Sequence, residues 1–347
     1  MRESEWSHAE APRAVIAGAS GFIGRALTDA LRADGYDVRT IGRGPDRDTD
    51  ATEADAQWTD AAGIARLVDG ADVLVNLAGK SVNCRYTDRN RAEILRSRVE
   101  TTHALREAVA QASAPPRVWL NASTATIYAH STDRSNGEDD RRIGTGFSVD
   151  VARSWEAELF AGELPGTRRV ALRIAIVLGD GPATRMLALL ARTGLGGPQF
   201  DGWWFPHRRY RGIGVDPTGD GAAPRHRTRG RQRFSWVHLD DVVRAVLFLA
   251  AREDISGPVN IVSPEASDNR TLMRTLRRVV GARVGLPAAR WMLEPAMWAL
   301  RTEPELVLKS RWVVPRRLLD AGFEFAHTDL EEALRDIVSA PRSTLAG

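Results

Sequence analysis

The sequence predicts an α/β fold whose core is a doubly wound parallel sheet, followed by a smaller, mostly helical substrate region. Three observations predict it. Short runs rich in Val, Ile and Leu at 14–17, 37–41, 72–77, 117–121 and 170–176 lack clean polar alternation, as strands buried on both faces should. Helical periods separate them at 22–33, 61–68, 88–112 and 149–161, the pattern of a parallel sheet covered on both sides. The first run passes through a turn carrying Gly18, Gly21 and Gly24 into an amphipathic helix.

That turn is the most informative stretch of the 347 residues. Gly18 suits a tight bend, Gly21 the approach of backbone to a pyrophosphate, and Gly24 the packing of helix against strand. Phe22, Ile23, Ala26, Leu27 and Leu31 share one helix face. The free N–H groups at the start of the helix then face the phosphates. Strand, turn and helix in this order predict a Rossmann-type dinucleotide site.

The second strand ends at Ile41, and Gly42 and Arg43 follow. A site for NAD(H) places an acid near this point to hold the ribose hydroxyl. An arginine can instead stack on adenine and pair with a 2′-phosphate, so NADP(H) is favoured over NAD(H). The alternative is a solvent-exposed arginine. Trp58 packs near the adenine or is a buried aromatic. The third strand runs into Asn76, Leu77, Ala78 and Gly79, small residues at the edge of the ligand crevice. The fourth leads through Asn121 and Ala122 to the hydroxyls of Ser123 and Thr124.

After Leu178 the periodicity breaks down. Gly194 to Pro198 reads as a loop, and 201–233 is rich in Arg, Gly and Trp. It carries Trp203, Trp204, His207, Arg208, Arg209, Tyr210, Arg225, Arg227, Arg229, Arg231 and Arg233. Three readings stay open for it: a mobile insertion, a lid clamping a phosphorylated substrate, or a surface for single-stranded nucleic acid. Order returns with a strand at 234–237, a helix at 240–251 and a strand at 258–262. From 268 the chain reads as helices broken by Pro287, Pro295, Pro304 and Pro315, ending in an amphipathic segment at 330–337. The expected division is a tail at 1–12, a dinucleotide-binding part at 13–180 plus 234–263, a linking stretch at 181–233, and a C-terminal part at 264–347.

Composition excludes several classes. Forty-eight basic residues against 45 acidic ones give a net charge of only +3, which supplies no global argument for nucleic acid. The single cysteine, Cys84, has no partner for a disulfide or a metal site and suits a reducing, cytoplasmic setting. No signal-peptide core or membrane-spanning run is present in the sequence. His238 with Asp240 and Asp241 invites a catalytic reading. Asp240 nevertheless suits a helix N-cap, and Asp241 the first helical turn.

Together these residues resemble the extended short-chain dehydrogenases/reductases, and within them the epimerase family proteins with a C-terminal DUF1731 domain. The resemblance rests on Gly18 to Gly24, Asn76 to Gly79, Arg85 to Thr87, Ser97 with Arg98, Leu172 with Arg173, Val177 to Gly179 and Gly194 to Pro198. It continues through Phe234 to Asp241, Gly257 to Asn260 and Val314 to Phe323. It implies cofactor contacts from Gly18, Ser20, Gly21, Phe22, Ile23, Gly24, Arg43, Leu77, Ala78, Gly79 and Arg98. It also implies a small-molecule substrate, an oxidoreductase or epimerase activity, and pairing into homodimers through helices flanking the sheet. Standard relatives use a Tyr and, four residues on, a Lys. Here the only lysines are Lys80 and Lys309, and the helix reads Val151, Ala152, Arg153, Ser154, Trp155, Glu156. Ser123 and Tyr128 are therefore the candidate catalytic residues, with a structural or ligand-stacking role as the alternative for Tyr128. Arg153 and Glu156 either hold substrate or ribose or lie on a helix surface. The missing pair leaves a second class open, a non-catalytic NADP(H)-binding sensor or scaffold.

Overall fold

Both faces of the central sheet are apolar because both are covered. Its strands are β1 (Arg13–Ala17), β2 (Asp37–Gly42), β3 (Ala56–Gln57), β4 (Val73–Asn76), β5 (Val118–Thr124) and β6 (Arg168–Ile174). A short β7 (Ile176–Leu178) pairs with β8 (Trp236–His238), and β9 (Gly257–Ile261) closes the sheet. The helices are α1 (Phe22–Ala33), α2 (Ala61–Val68), α3 (Asp88–Gln111), α4 (Phe147–Leu159), α5 (Pro182–Arg192), α6 (Leu239–Ala251), α7 (Asn269–Val279), α8 (Arg290–Ala299), α9 (Arg316–Asp320) and α10 (Leu330–Ser339). The computed structural model describes residues 11–44, 54–223, 226–299, 303 and 308–339. Residues 1–10 of the expected tail, Arg225 and Pro304 lie outside the described residues.

The seven strands run in the order β9-β6-β5-β4-β1-β2-β3, every neighbouring pair parallel. Alternate side chains serve opposite faces. Ala14, Ile16, Val73, Val75, Val118 and Leu120 enter the core shared with α1 and α6. Val15, Ala17, Leu74 and Trp119 enter the core shared with α2 and α3. The chain leaves β1 toward β2, then returns past it to β4. That reversal opens a crevice at the carboxyl ends of β1 and β4, where ligands of such sheets bind.

Several boundaries differ from the sequence reading. The strand expected at 170–176 is two strands: β6 ends at Ile174 beside β9, and from Ile176 the chain pairs with β8 instead. The strand at 234–237 starts in earnest at Trp236 and pairs with β7. The two-residue β3 carries too little pattern to be read. Pro295 does not break a helix but lies inside α8. Pro12, counted with the tail, accepts the Asp37 amide at 2.9 Å. Among the described residues no helix is long and apolar enough to cross a membrane.

The C-terminal residues pack into the fold at several places, Val313 among Ala125, Ile127 and Tyr128 being one. Leu318 and Phe323 join the core on the α1 and α6 face. Leu272, Met273 and Leu276 of α7 meet Leu330, Ala333 and Leu334 of α10 over Ala188 and Ala191 of α5.

Gly24 lies against the turn, not against β1 as the sequence reading has it. A Cβ there would fall 2.2 Å from Gly18 O and 2.8 Å from Ala19 Cα, both fixed backbone. Gly24→Ala is therefore expected to lower stability by about 1–3 kcal/mol through overpacking. Chemical denaturation checks it, and an unchanged midpoint would show that the turn yields freely.

Candidate functional site

The bend after β1 leaves no room for a side chain at Gly18. Its φ is +86°, and a Cβ would sit 2.9 Å from Ala78 N. Its amide bonds Ile41 O at 3.1 Å, while Leu77 N bonds Ala17 O at 2.8 Å, so the turn is clamped between the ends of β2 and β4. Helix α1 starts at Gly21 with no side-chain cap. Its first amides are thus left for an anion. Ser20 is exposed on the turn, and its carbonyl accepts from Arg25 Nη1 at 2.5 Å. Ile23 is half-buried against the core. Phe22 lies over Gly179 and Gly181, where a Cβ would come within 2.7 and 3.1 Å of its ring. Arg43 stands exposed at the end of β2. An uncapped helix start, a bend with no space for a Cβ and a nearby guanidinium together fit a dinucleotide phosphate.

The opposite wall is built from amides. Asn76, fully buried, donates to Asn121 Oδ1 at 2.7 Å and to Thr102 Oγ1 at 3.1 Å, and accepts from Ala78 N at 3.0 Å. This fixes Leu77, Ala78 and Gly79 where β4 ends. Thr102 also accepts from Trp155 Nε1 at 2.9 Å, tying α3 to α4. Arg98 closes the wall. Its Nη1 donates to Lys80 O and Ile94 O, both at 3.0 Å, its guanidinium abuts Gly79, and it stands 5.0 Å over the Trp155 ring. Burial pushes its pKa down to about 10, so it keeps its charge at neutral pH.

Ser123 and Tyr128 end in one buried network, joined through residues that sequence reasoning did not place together. Ser123 Oγ donates to Glu156 Oε1 at 2.6 Å. Arg173, on β6 beside Ser123 in register, grips the same carboxylate with Nε at 2.9 Å and Nη2 at 2.7 Å. Its Nη1 donates to Tyr128 Oη at 2.9 Å, and Tyr128 donates on to Asn260 Oδ1 at 2.8 Å. Asn260 N bonds Glu138 Oε1 at 3.0 Å, and its Nδ2 bonds Val314 O at 2.9 Å. Burial alone would lower the Arg173 pKa, but the hydrogen bonds and charge of Glu156 outweigh it and raise it. Burial raises the Tyr128 phenol against the opposing pull of Arg173. Tyr128 has 0% exposure. Glu156 is buried, so the helix-surface alternative for it fails. Arg173 and Asn260 were visible only as motif residues, since a buried basic residue on a strand gives no local signal of its partner.

Other candidates go elsewhere. Arg153 pairs with Asp150 at 3.7 Å and with Asp216 at 3.3 Å, turning toward the Arg-rich stretch. Asp150 anchors that stretch, accepting from Ile213 N at 3.0 Å and Thr218 N at 2.8 Å. Tyr210, buried, is bonded by Arg209 and Arg290. Trp58 is half-buried on the α2 and α3 core. The N-cap of α6 is His238, not Asp240: His238 Nδ1 accepts from Asp240 N at 3.3 Å. Asp241 is fully buried and accepts from Ala326 N at 2.7 Å and His327 N at 2.9 Å. The trio pins the C-terminal segment to α6.

The family model for the NAD dependent epimerase/dehydratase family matches residues 14–262, and that for a domain of unknown function, DUF1731, matches 290–337. Epimerase family protein SDR39U1 of Bos taurus is 31% identical, over 94% of this chain and all of its own. Epimerase family protein YfhF of Bacillus subtilis (strain 168) is 27% identical, over 95% of this chain and 99% of its own. The crystal structure of human epimerase family protein SDR39U1 (isoform 2) with NADPH superposes with a TM-score of 0.77 at 26% identity, covering 95% of this chain and 100% of that one.

Removing the carboxylate should be far more damaging than removing the phenol. Glu156→Ala leaves Arg173 buried and uncompensated, a loss of about 3–5 kcal/mol. Tyr128→Phe breaks two hydrogen bonds in the same network, a loss of about 1–3 kcal/mol. Urea denaturation of both variants ranks them, and equal small losses would contradict a buried ion pair at the centre of the site.

Proposed function

We propose, for a chain that belongs to the NAD dependent epimerase/dehydratase family, that it binds NADP(H) and acts as an atypical oxidoreductase or epimerase on a small polar or nucleotide-linked substrate. The observation that carries the reading is Ser123 held 2.6 Å from Glu156 at the carboxyl end of β5, beside the dinucleotide crevice. Gly18, Ser20, Gly21, Phe22, Ile23 and Gly24 would hold the pyrophosphate, Arg43 the 2′-phosphate, and Leu77, Ala78, Gly79 and Arg98 the inner wall. A nicotinamide supplies hydride transfer when bound. NADP(H) is supported by Arg43 standing where an acid would mark NAD(H), and by the NADPH of the human relative's structure.

In this reading Ser123 hydrogen-bonds the reacting oxygen of the substrate and passes a proton to or from Glu156. Arg173 balances the charge on Glu156 through two hydrogen bonds. Arg98, stacked over Trp155, supplies the cation on the wall where relatives use lysine. Tyr128 orients Arg173; a phenol with no exposed surface and both lone-pair and proton engaged has no path to a substrate. One observation favours a non-catalytic sensor. Both oxygens of Glu156 already accept from Arg173, and one of them also from Ser123. Cofactor binding would then set a conformation or a partner surface.

Thermal-shift titrations with NADPH and NADH come first. NADPH should bind more tightly, and Arg43→Asp should weaken it by about tenfold to a hundredfold while leaving NADH nearly unchanged. No stabilisation by either would overturn the dinucleotide site. Turnover of NADPH with a carbonyl and sugar-nucleotide panel, lowered about a hundredfold by Ser123→Ala, supports the enzyme. Tight binding without turnover supports the sensor.

A further inference from the structure

A cavity of about 960 Å³ is lined by the loop after β5, the Arg-rich stretch and α7, and its chemistry is strongly cationic. Five arginines line it, Arg227, Arg231, Arg233, Arg270 and Arg274, against a single carboxylate, Asp268. It shares no lining residue with the glycine turn, the Asn76 wall or the Ser123 network.

The arginines are held together against their own repulsion. Arg270 and Arg274 lie one turn apart on α7, where like charges oppose the helix. Arg229 adopts φ +53°, the left-handed region that non-glycine residues avoid, and Gly230 follows at +82°. That bend is braced on both sides. Thr228 N bonds both Asp201 oxygens at 2.8 and 3.0 Å, Arg270 N bonds Gly230 O at 2.9 Å, and Arg231 N bonds Thr228 O at 3.1 Å. Strain that persists under bracing of this kind marks a site more often than a linker. The acids nearby are already engaged: Asp201 by Thr228 N, and Asp268 by Thr271 N at 2.8 Å as the cap of α7. Among the described residues none of the five arginines forms an ion pair.

A pair of imidazoles floors one side. His130 and His226 stack with centroids 3.4 Å apart and planes 7° apart. His130 Nδ1 accepts from Ser310 N at 3.3 Å, which leaves its proton on Nε2. Burial, with His226, Arg311 and Lys309 adding to it, pushes the His130 pKa down to about 4. The pair is therefore neutral at neutral pH, and the positive charge belongs to the guanidinium groups.

We propose that this cavity is a binding site for a compact polyanion carrying two or more phosphate groups, with Arg227, Arg231, Arg233, Arg270 and Arg274 as its ligands. Guanidinium forks match phosphate oxygens two at a time, and five of them exceed what one phosphate can use. The volume lies in the range of small-ligand pockets. The arginines converge on a concavity and do not alternate along a stripe with aromatic platforms, as a single-strand surface would. Trp203 and Phe205, the exposed aromatics of the same stretch, contact each other and do not line the cavity. The site goes beyond the proposed activity and does not depend on it.

Isothermal titration of the full chain, with and without saturating NADPH, uses inorganic pyrophosphate, tripolyphosphate and ATP at constant ionic strength. Sulfate and a single-stranded oligonucleotide are the comparison ligands. Pyrophosphate or tripolyphosphate should bind, sulfate at least about tenfold more weakly, and NADPH should not compete. Tighter binding of ATP than of tripolyphosphate identifies a nucleotide as the source of the phosphates, and equal binding identifies the bare polyphosphate. Arg227→Ala and Arg274→Ala should each weaken binding by about tenfold or more, with NADPH affinity unchanged. Arg274→Glu, which can pair with Arg270 and so keep the helix, should abolish it. No heat with any polyphosphate from the folded chain, indifference to these substitutions, or an oligonucleotide that outcompetes tripolyphosphate overturns the proposal.

Discussion

The ion pair of Arg173 with Glu156 is the constraint on which the rest of the site depends. Taking two charges out of water costs several kcal/mol each, and their attraction offsets this only when geometry is good and the remaining donors are satisfied. Both conditions hold here. Nε and Nη2 of Arg173 meet Glu156, Nη1 meets Tyr128, and Ser123 completes the carboxylate. Four elements thereby lose their freedom relative to one another: β5, β6, α4 and the loop that follows β5. Through Tyr128 and Asn260 the constraint passes to β9 and to Val314 of the C-terminal part. A hydrophobic replacement of the pair could match its stability, but would not fix the Ser123 hydroxyl toward one direction.

The glycine-turn half of the site was legible because its determinants are local. A bend, a helix start and two strand ends are each encoded within a few residues, and Gly18 lies in the tight bend and Asn76 and Gly79 at the end of β4, as their local sequence suggested. The helices at 22–33 and 61–68 coincide with α1 and α2 for the same reason. The chemistry half was not legible. Glu156 and Arg173 are 17 residues apart, and Asn260 is 132 from Tyr128, so only the strand order brings them together. His238 shows the complementary failure. The acidic residues after it fit a cap by propensity, but the imidazole two positions before Asp240 takes that role because β8 ends there.

The C-terminal part is stitched in by polar contacts as much as by its cores. Asp241 receives the amides of Ala326 and His327, Ser235 donates to Arg311 O at 2.7 Å, and Ser310 Oγ donates to Ser131 O at 2.7 Å. Buried polar contacts of this kind specify one arrangement, since each mismatch would strand a donor or acceptor. They place the segment 308–314 between the loop after β5 and the Arg-rich stretch, Ser310 Oγ accepting from Arg233 N at 2.6 Å.

The position of β9 has a consequence for biosynthesis. It is the outermost strand on its side of the sheet and pairs only with β6, yet more than eighty residues separate the two in the chain. While the polypeptide emerges from the ribosome, β6 waits as an open, apolar edge until Gly257–Ile261 arrives. An unpaired parallel edge of that length is a template for wrong partners, and its closure over a long loop is slow. The vulnerable species in the life of this protein is thus the nascent chain that has completed β1 to β6 and still lacks β9.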